Sequence, residues 1–245
     1  MKVELFIPCF VDQLYPETAF NTIKVLEKAG CEIVYNPKQT CCGQPAYNAG
    51  YWEEAKEIGT KFLNDFSEHQ YIVAPSASCV GMVKNGFNDL FTNTIVHNKC
   101  RSLQSNIFEL SDFLINVLKK DYFGAELEGK AVYHDSCSGL RECKIKDEPR
   151  QLLSRVIGLE MLEMKDTDMC CGFGGTFAVK FDAISSAMAE QKVNNALEMD
   201  ADYIISTDLS CLMHLDGYIQ KNSLSIKTMH LADVLANGWL ESTEY

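Results

Sequence analysis

The sequence predicts an α/β protein of two duplicated βαβ-type Cys-Cys-Gly modules, each on a parallel sheet and related by a pseudo-two-fold axis. Three observations predict it. A cysteine pattern occurs twice, as Cys9, Cys41, Cys42, Cys79 and as Cys137, Cys170, Cys171, Cys211, displaced by 128 to 132 residues. Short apolar runs alternate with helical patterns of 10 or more residues, the signature of parallel strands joined by crossover helices. Each copy closes on a similar tail, "FELSDFL" at 108–114 and "MHLADVL" at 229–235. Self-similarity on this scale points to duplication and fusion rather than to a short-period solenoid.

In the first copy, "KVELFIP" reads as a buried strand. "PETAFNTIKVLEKAG" reads as a helix with Pro16 at its start, Gly30 at its end and Phe20, Ile23 and Leu26 on its apolar face. "EIVYNP" is a second strand leading into the first Cys-Cys-Gly loop. Helix "YWEEAKEIGTKFLNDF", strand "YIVAPSASC" and helix "VGMVKNGFNDLF" follow. The second copy repeats the order: strand "KAVYHDS", helix "PRQLLSRVIG", strand "EMLEM", the second Cys-Cys-Gly loop, helix "AISSAMAEQKVNNALEM", strand "DYIISTDLS" and helix "LMHLDGYIQK". The expected organisation is a first module at 1–97, a helical connection at 98–128 and a second module at 129–245.

The chain has 245 residues, enough for a sizeable buried core, and its 47% hydrophobic and 23% charged content is ordinary for a globular protein. No apolar run approaches the ~20 residues of a membrane span, and "MKVELFIPCF" reads as a first strand rather than a signal peptide. A cytoplasmic protein without membrane insertion is expected. A net charge of −12 argues against nucleic acid or an anionic membrane as partner, since both are held by clustered Lys and Arg. The eleven cysteines are an odd number, a poor fit to a fully paired disulfide framework. In a reducing compartment, metal or redox roles are the better reading. Isolated Cys31 and Cys100 read as small buried hydrophobes.

Ligand sites of parallel α/β sheets lie beyond the carboxyl ends of the strands, so each cysteine set converges on one sheet edge. Four thiolates from separated loops can hold zinc or an iron–sulfur cluster. Zinc-finger ligands come in pairs two to four residues apart, whereas here the nearest are adjacent. Adjacent residues cannot easily aim both sulfurs at one ion, but can ligate neighbouring irons. Gly43, Gly172, Gly174 and Gly175 allow close backbone approach and amide hydrogen bonds to sulfur. A cluster is the preferred reading, with zinc in one module as the alternative.

The repeated motif, together with "PCFVDQLYP", "CCGQPAYNAG", "PSASCVGMV", "YHDSC", "CCGFGGTFAVK", "DLSCLMH" and "HLADVL", resembles the CCG cysteine-rich domain found in heterodisulfide reductases. More closely, and along essentially the whole chain, it resembles the iron–sulfur subunits of bacterial lactate-utilization and glycolate-oxidase systems. The resemblance implies an electron-transfer subunit with no dehydrogenase cofactor of its own. It would work beside a ferredoxin-like iron–sulfur subunit and a third subunit, oxidising L-lactate or a similar 2-hydroxy acid to the 2-oxo acid. It also implies an iron–sulfur cluster in each module, [4Fe–4S] in type and noncubane in the heterodisulfide reductase relatives, with the eight motif cysteines as ligands. Two other functions stay open: a disulfide or heterodisulfide reductase subunit whose cluster acts on sulfur directly, and a zinc-binding assembly subunit.

The family motif ends in Cys-x-x-Cys, and this chain has Met82 and His214 at the last position. His214 is therefore an additional candidate ligand, while Met82 reads as core packing ahead of a weak thioether ligand. "YHDSCSGLREC" carries His134, Asp135, Arg141 and Cys143, read as a helix start with satisfied charges ahead of a carboxylate-binding site at Arg141. Cys143, six residues after Cys137, is expected to face away rather than to supply a fifth thiolate. His230 reads as structural, and "GFGG" lacks the spacing of a nucleotide-binding loop.

Overall fold

The protein is described by a computed structural model over residues 1–66, 71–92 and 94–239. Residues 240–245, the end of the expected second module, lie outside the described residues. Two four-stranded sheets form, each wholly parallel. The first contains β1 (Lys2–Leu5), β2 (Glu32–Tyr35), β3 (Ile72–Ala74) and β4 (Ile107–Glu109), in the order β2-β1-β3-β4. The second contains β5 (Glu126–Tyr133), β6 (Ile157–Leu162), β7 (Tyr203–Ser206) and β8 (Lys227–His230), in the order β6-β5-β7-β8. The second order is the first with every strand advanced by four, so the duplication holds in topology as well as in the cysteines. Central strands read as continuous apolar runs because helices cover both faces: Val3, Leu5, Ile72, Val73, Val132, Ile204 and Ile205 are all buried.

Helix Pro16–Lys28 begins with proline at its first turn and stops before Gly30, whose φ of +85° favours glycine. Its buried face keeps the expected Leu26 and half-buried Ile23 but not Phe20. Phe20 is 63% exposed, and Thr18, Thr22, Val25 and Leu26 are inside. The reason is polar contact across the modules. Thr18 and Asn21 donate to Asp233 at 2.8 and 2.9 Å, and Thr22 Oγ1 bonds back to Thr18 O at 2.7 Å. Paired hydroxyls can be buried at little cost, and the helix turns that stripe inward.

A second difference lies in the segment expected to be a helical connection. Residues 107–109 form β4, the edge strand paired to β3 from Ile72↔Ile107 to Ala74↔Glu109. Three residues are too few to show a strand period, and only the pairing makes them one. The two tails are thus equivalent strand-to-helix junctions. Glu109 accepts from the amides of Ser111 and Asp112, and His230 Nδ1 accepts from Ala232 N–H at 3.1 Å.

One apolar core runs through both modules, joining Val3, Leu5, Val25 and Leu26 to Val132, Leu152, Ile204 and Leu235. A second cluster fills the outer side of the first module around Phe6, Phe62, Phe66 and Phe87. Phe6 meets Phe62 edge-to-face at 4.8 Å. No helix among the described residues is long and apolar enough to cross a membrane.

Candidate metal centre

Each cysteine is placed by an equivalent element. Cys9 opens helix Cys9–Leu14 after β1, and Cys137 precedes the helical turn Ser138–Glu142 after β5. Cys79 sits in helix Ala77–Gly81 after β3, and Cys211 in helix Leu209–Lys221 after β7. The vicinal pairs occupy the loops after β2 and β6. Glycine after each pair is a backbone requirement. Gly43 and Gly172 have φ of +87° and +95°, and a Cβ on Gly172 would lie 2.6 Å from Ser185 O. This turn aims their amides at sulfur. Gly43 N–H donates to Cys41 Sγ at 3.3 Å, and Gly172 N–H to Cys170 Sγ at 3.4 Å.

The sulfurs of each set form a chain of contacts. Cys9 Sγ and Cys41 Sγ are 3.8 Å apart, and Cys42 bonds to both Cys41 and Cys79. Cys137, Cys170, Cys171 and Cys211 repeat the sequence. Hydrogen bonds from Cys42 and Cys9 pull Cys41 down to about 3, and those from Cys137 and Cys171 pull Cys170 down to about 2. The donors Cys9, Cys42, Cys137 and Cys171 are pushed up, first by the bond to the neighbouring thiolate and then by burial. Within each set one thiol is favoured as thiolate while its buried neighbours are held toward the protonated form, and a cation among the sulfurs would relieve that opposition. That donor chemistry fits a thiolate-bound metal centre.

Both sets line one cavity of about 580 Å³ between the modules. Asp208, 1% exposed, ties its floor together. Its Oδ1 accepts from Ser76 Oγ at 3.1 Å and Ser78 N–H at 2.9 Å, and its Oδ2 accepts from Ser136 Oγ. Phe10 and Phe173, one from each module, meet edge-to-face at 5.8 Å across the cavity wall.

The other candidates separate clearly. His214 Nε2 lies 3.1 Å from Ser185 Oγ and 3.3 Å from Ser185 O, and Ser185 Oγ donates to Gly172 O at 2.8 Å, so His214 backs the second Cys-Cys-Gly loop. Met82 is buried in the first module's outer core. Arg141 is exposed, while Asp135 is held bidentately by Arg150 at 2.9 and 2.8 Å. Cys143 Sγ faces Ala77 O of the first module at 3.4 Å, away from its own module's set.

One residue was undervalued in the sequence. His134 is fully buried, and neither ring nitrogen has a hydrogen-bond partner among the described residues. A ring nitrogen, Cys171 Sγ and Cys211 Sγ all lie within 4.8 Å of one another. Burial, then the nearby Lys192 cation, lowers His134 to about 3, which keeps the imidazole neutral. Lys192 itself is buried and donates to the carbonyls of Asp166 and Thr167 at 2.6 and 3.0 Å, tethering the approach to Cys170. The available signal was the repeat: three residues before Cys9 stands Phe6, and three before Cys137 stands His134.

Duplicated parallel α/β modules that turn two four-thiol sets into one cleft define a cysteine-rich protein of the thiolate-metal class. The cysteine-rich domain family designated CCG matches residues 3–84 and 131–216. Lactate utilization protein A of Geobacillus sp. (strain WCH70) is 41% identical over 235 residues, 96% of this chain and 99% of that one. Its namesake in Halalkalibacterium halodurans is 42% identical over 235 residues, 96% of each chain. The chain belongs to the CCG cysteine-rich family and, within it, to the family of lactate utilization protein A. Among solved structures, a hypothetical protein from Helicobacter pylori superposes with a TM-score of 0.59 at 15% identity over 98% of this chain. This chain spans about half, 49%, of that longer one, and the likeness concerns the fold alone.

Proposed function

We propose that this chain is a cytoplasmic iron–sulfur electron-transfer subunit of a complex that oxidises L-lactate, or a similar 2-hydroxy acid, to the 2-oxo acid. The observation that carries the reading is the pair of four-thiol sets lining one cleft, combined with the name of its relatives. Cys9, Cys41, Cys42 and Cys79 would hold one [4Fe–4S]-type cluster and Cys137, Cys170, Cys171 and Cys211 another. Bound there, such clusters supply reversible one-electron transfer. The chain's own residues do the rest. Amides of Gly43 and Gly172 donate to sulfur, which stabilises thiolate charge. Burial of Cys42, Cys79, Cys171 and Cys211 limits water at those four sulfurs, and Asp208 bonds to residues of both modules beside the two sets.

Oxidising a 2-hydroxy acid to a 2-oxo acid releases two electrons and two protons. Two one-electron centres in one cleft suit a relay that takes those electrons in turn. The substrate step would fall to other subunits, a ferredoxin-like iron–sulfur protein and a third chain. The cleft lining also extends past the cysteines to Phe10, Asn48 and Val179, which favours as a second reading a disulfide substrate reacting at the cleft. Anaerobic mixing distinguishes the two. Lactate should reduce the chain's iron centres only when both partner subunits are present. Reduction of a disulfide by the pre-reduced chain alone, with no lactate-dependent reduction in the complete mixture, overturns the relay.

A further inference from the structure

The geometry points to His134 as a nitrogen ligand of the second site, so that the duplicated modules hold unlike centres: four thiolates in the first, four thiolates and an imidazole in the second. This rests on the proposal that the cysteine sets bind iron–sulfur clusters. A buried imidazole with both nitrogens unpaired is costly, and native proteins rarely leave one so. The described residues around the ring offer no partner. Asp135 next to it is committed to Arg150, and Lys192 to the carbonyls of Asp166 and Thr167. What the ring does face is the sulfurs of Cys171 and Cys211, at a spacing one metal atom can bridge.

The ring is also held in place. Its backbone amide donates to Ile205 O at 2.8 Å, which continues the β5–β7 pairing one residue past β5 and fixes the strand end from which it projects. The first module makes the same position apolar. Phe6 is fully buried against Phe62 and Phe66, at 4.8 and 5.5 Å between ring centroids. The residues at the lost fifth-cysteine position have other contacts. Met82 is core, and His214 Nε2 is engaged by Ser185. An imidazole in the cluster-binding shell changes the charge and donor strength seen by iron, and nitrogen ligation is known to shift cluster potentials. The two centres of the relay are therefore chemically distinct, and electrons have a preferred resting site.

The test is electron spin-echo envelope modulation on the anaerobically purified, reduced protein produced with ¹⁵N-histidine, with iron and sulfide measured on the same sample. One of the two centres should show strong ¹⁵N coupling. His134→Phe, which restores the residue type of the first module, should abolish it, as should His134→Asn, while His214→Gln should leave it unchanged. Iron and sulfide present without ¹⁵N coupling overturn the inference and leave the proposed function standing. Coupling that disappears in His214→Gln reassigns the ligand and also overturns it. A protein without iron overturns the proposed function and this inference together.

Discussion

Ser76 and Asp208 occupy corresponding positions in the two modules, each three residues before the last cysteine of its set, and their side chains hydrogen-bond at 3.1 Å. Both stand at the N-cap position of the helix that carries that cysteine, where Ser76 accepts from Cys79 N–H and the Asp208 carboxylate turns instead to the other module. The local pseudo-symmetry axis thus passes through a contact between equivalent residues. One of them has become an acid that gathers donors from both halves: Ser76, Ser78 and Ser136. This contact turns two cysteine-bearing sheet edges into one cleft.

Asp208→Ala removes the acceptor for all three donors and leaves Ser76 and Ser136 buried and Ser78 half-buried. Hydrogen bonds to charged groups contribute about 1.5–3 kcal/mol each, with partial relaxation. The variant should lose about 3 kcal/mol in denaturant titration and retain less metal at both sites. A loss below about 1 kcal/mol with full metal retention would show that the contact is incidental.

Cys171→Ser should remove or degrade one metal centre and leave the other, halving bound iron. Cys31→Ser should leave iron unchanged, because Cys31 is buried in the shared apolar core and, unlike Cys171, does not line the cleft. Iron analysis of the two variants side by side checks the assignment, and equal loss in both contradicts it.

Gly172→Ala places a methyl group 2.6 Å from Ser185 O at a φ of +95°. It should cost about 1–3 kcal/mol and weaken metal binding at the second site. Gly217, inside helix Leu209–Lys221 where an added Cβ would meet none of the described residues within 4 Å, is the control. Gly217→Ala should raise stability by about 0.5–1 kcal/mol. Thermal melts of both proteins give the comparison.

Glu109 gives a pH signature. Burial raises its carboxyl from 4.5 to about 8, against the lowering effect of its bonds to Ser111 and Asp112. The folded protein therefore keeps the proton where the unfolded chain releases it. The Glu109 contribution is fully present below pH 4.5 and declines as pH rises to about 8. The slope is at most about 1.4 kcal/mol per pH unit. Glu109→Gln should flatten the stability profile across that window, and an unchanged slope would contradict the assignment.

The eight motif cysteines, the duplication and most strands and helices were legible because each is a local or periodic signal. Cys-Cys-Gly loops announce a positive-φ turn, and apolar runs announce strands covered on both sides. β4 was not legible, since its three residues become a strand only by pairing with β3. Phe20 misled because the helix buries a threonine stripe whose value depends on Asp233, more than 200 residues away in the chain. His134 was hidden because an orphaned imidazole is a property of its surroundings and not of its neighbours in sequence. The sharing of one cleft has the same origin, in the meeting of Ser76 and Asp208.

The most direct test of the central claim is the iron, zinc and acid-labile sulfide content of anaerobically purified protein, with EPR spectra of the same sample as isolated, oxidised and reduced. The expected result is about eight irons and eight sulfides per chain, two four-iron clusters, with signals that appear and vanish reversibly with redox state. Zinc in place of iron, with no EPR signal in any state, would contradict it and make the two cysteine sets structural.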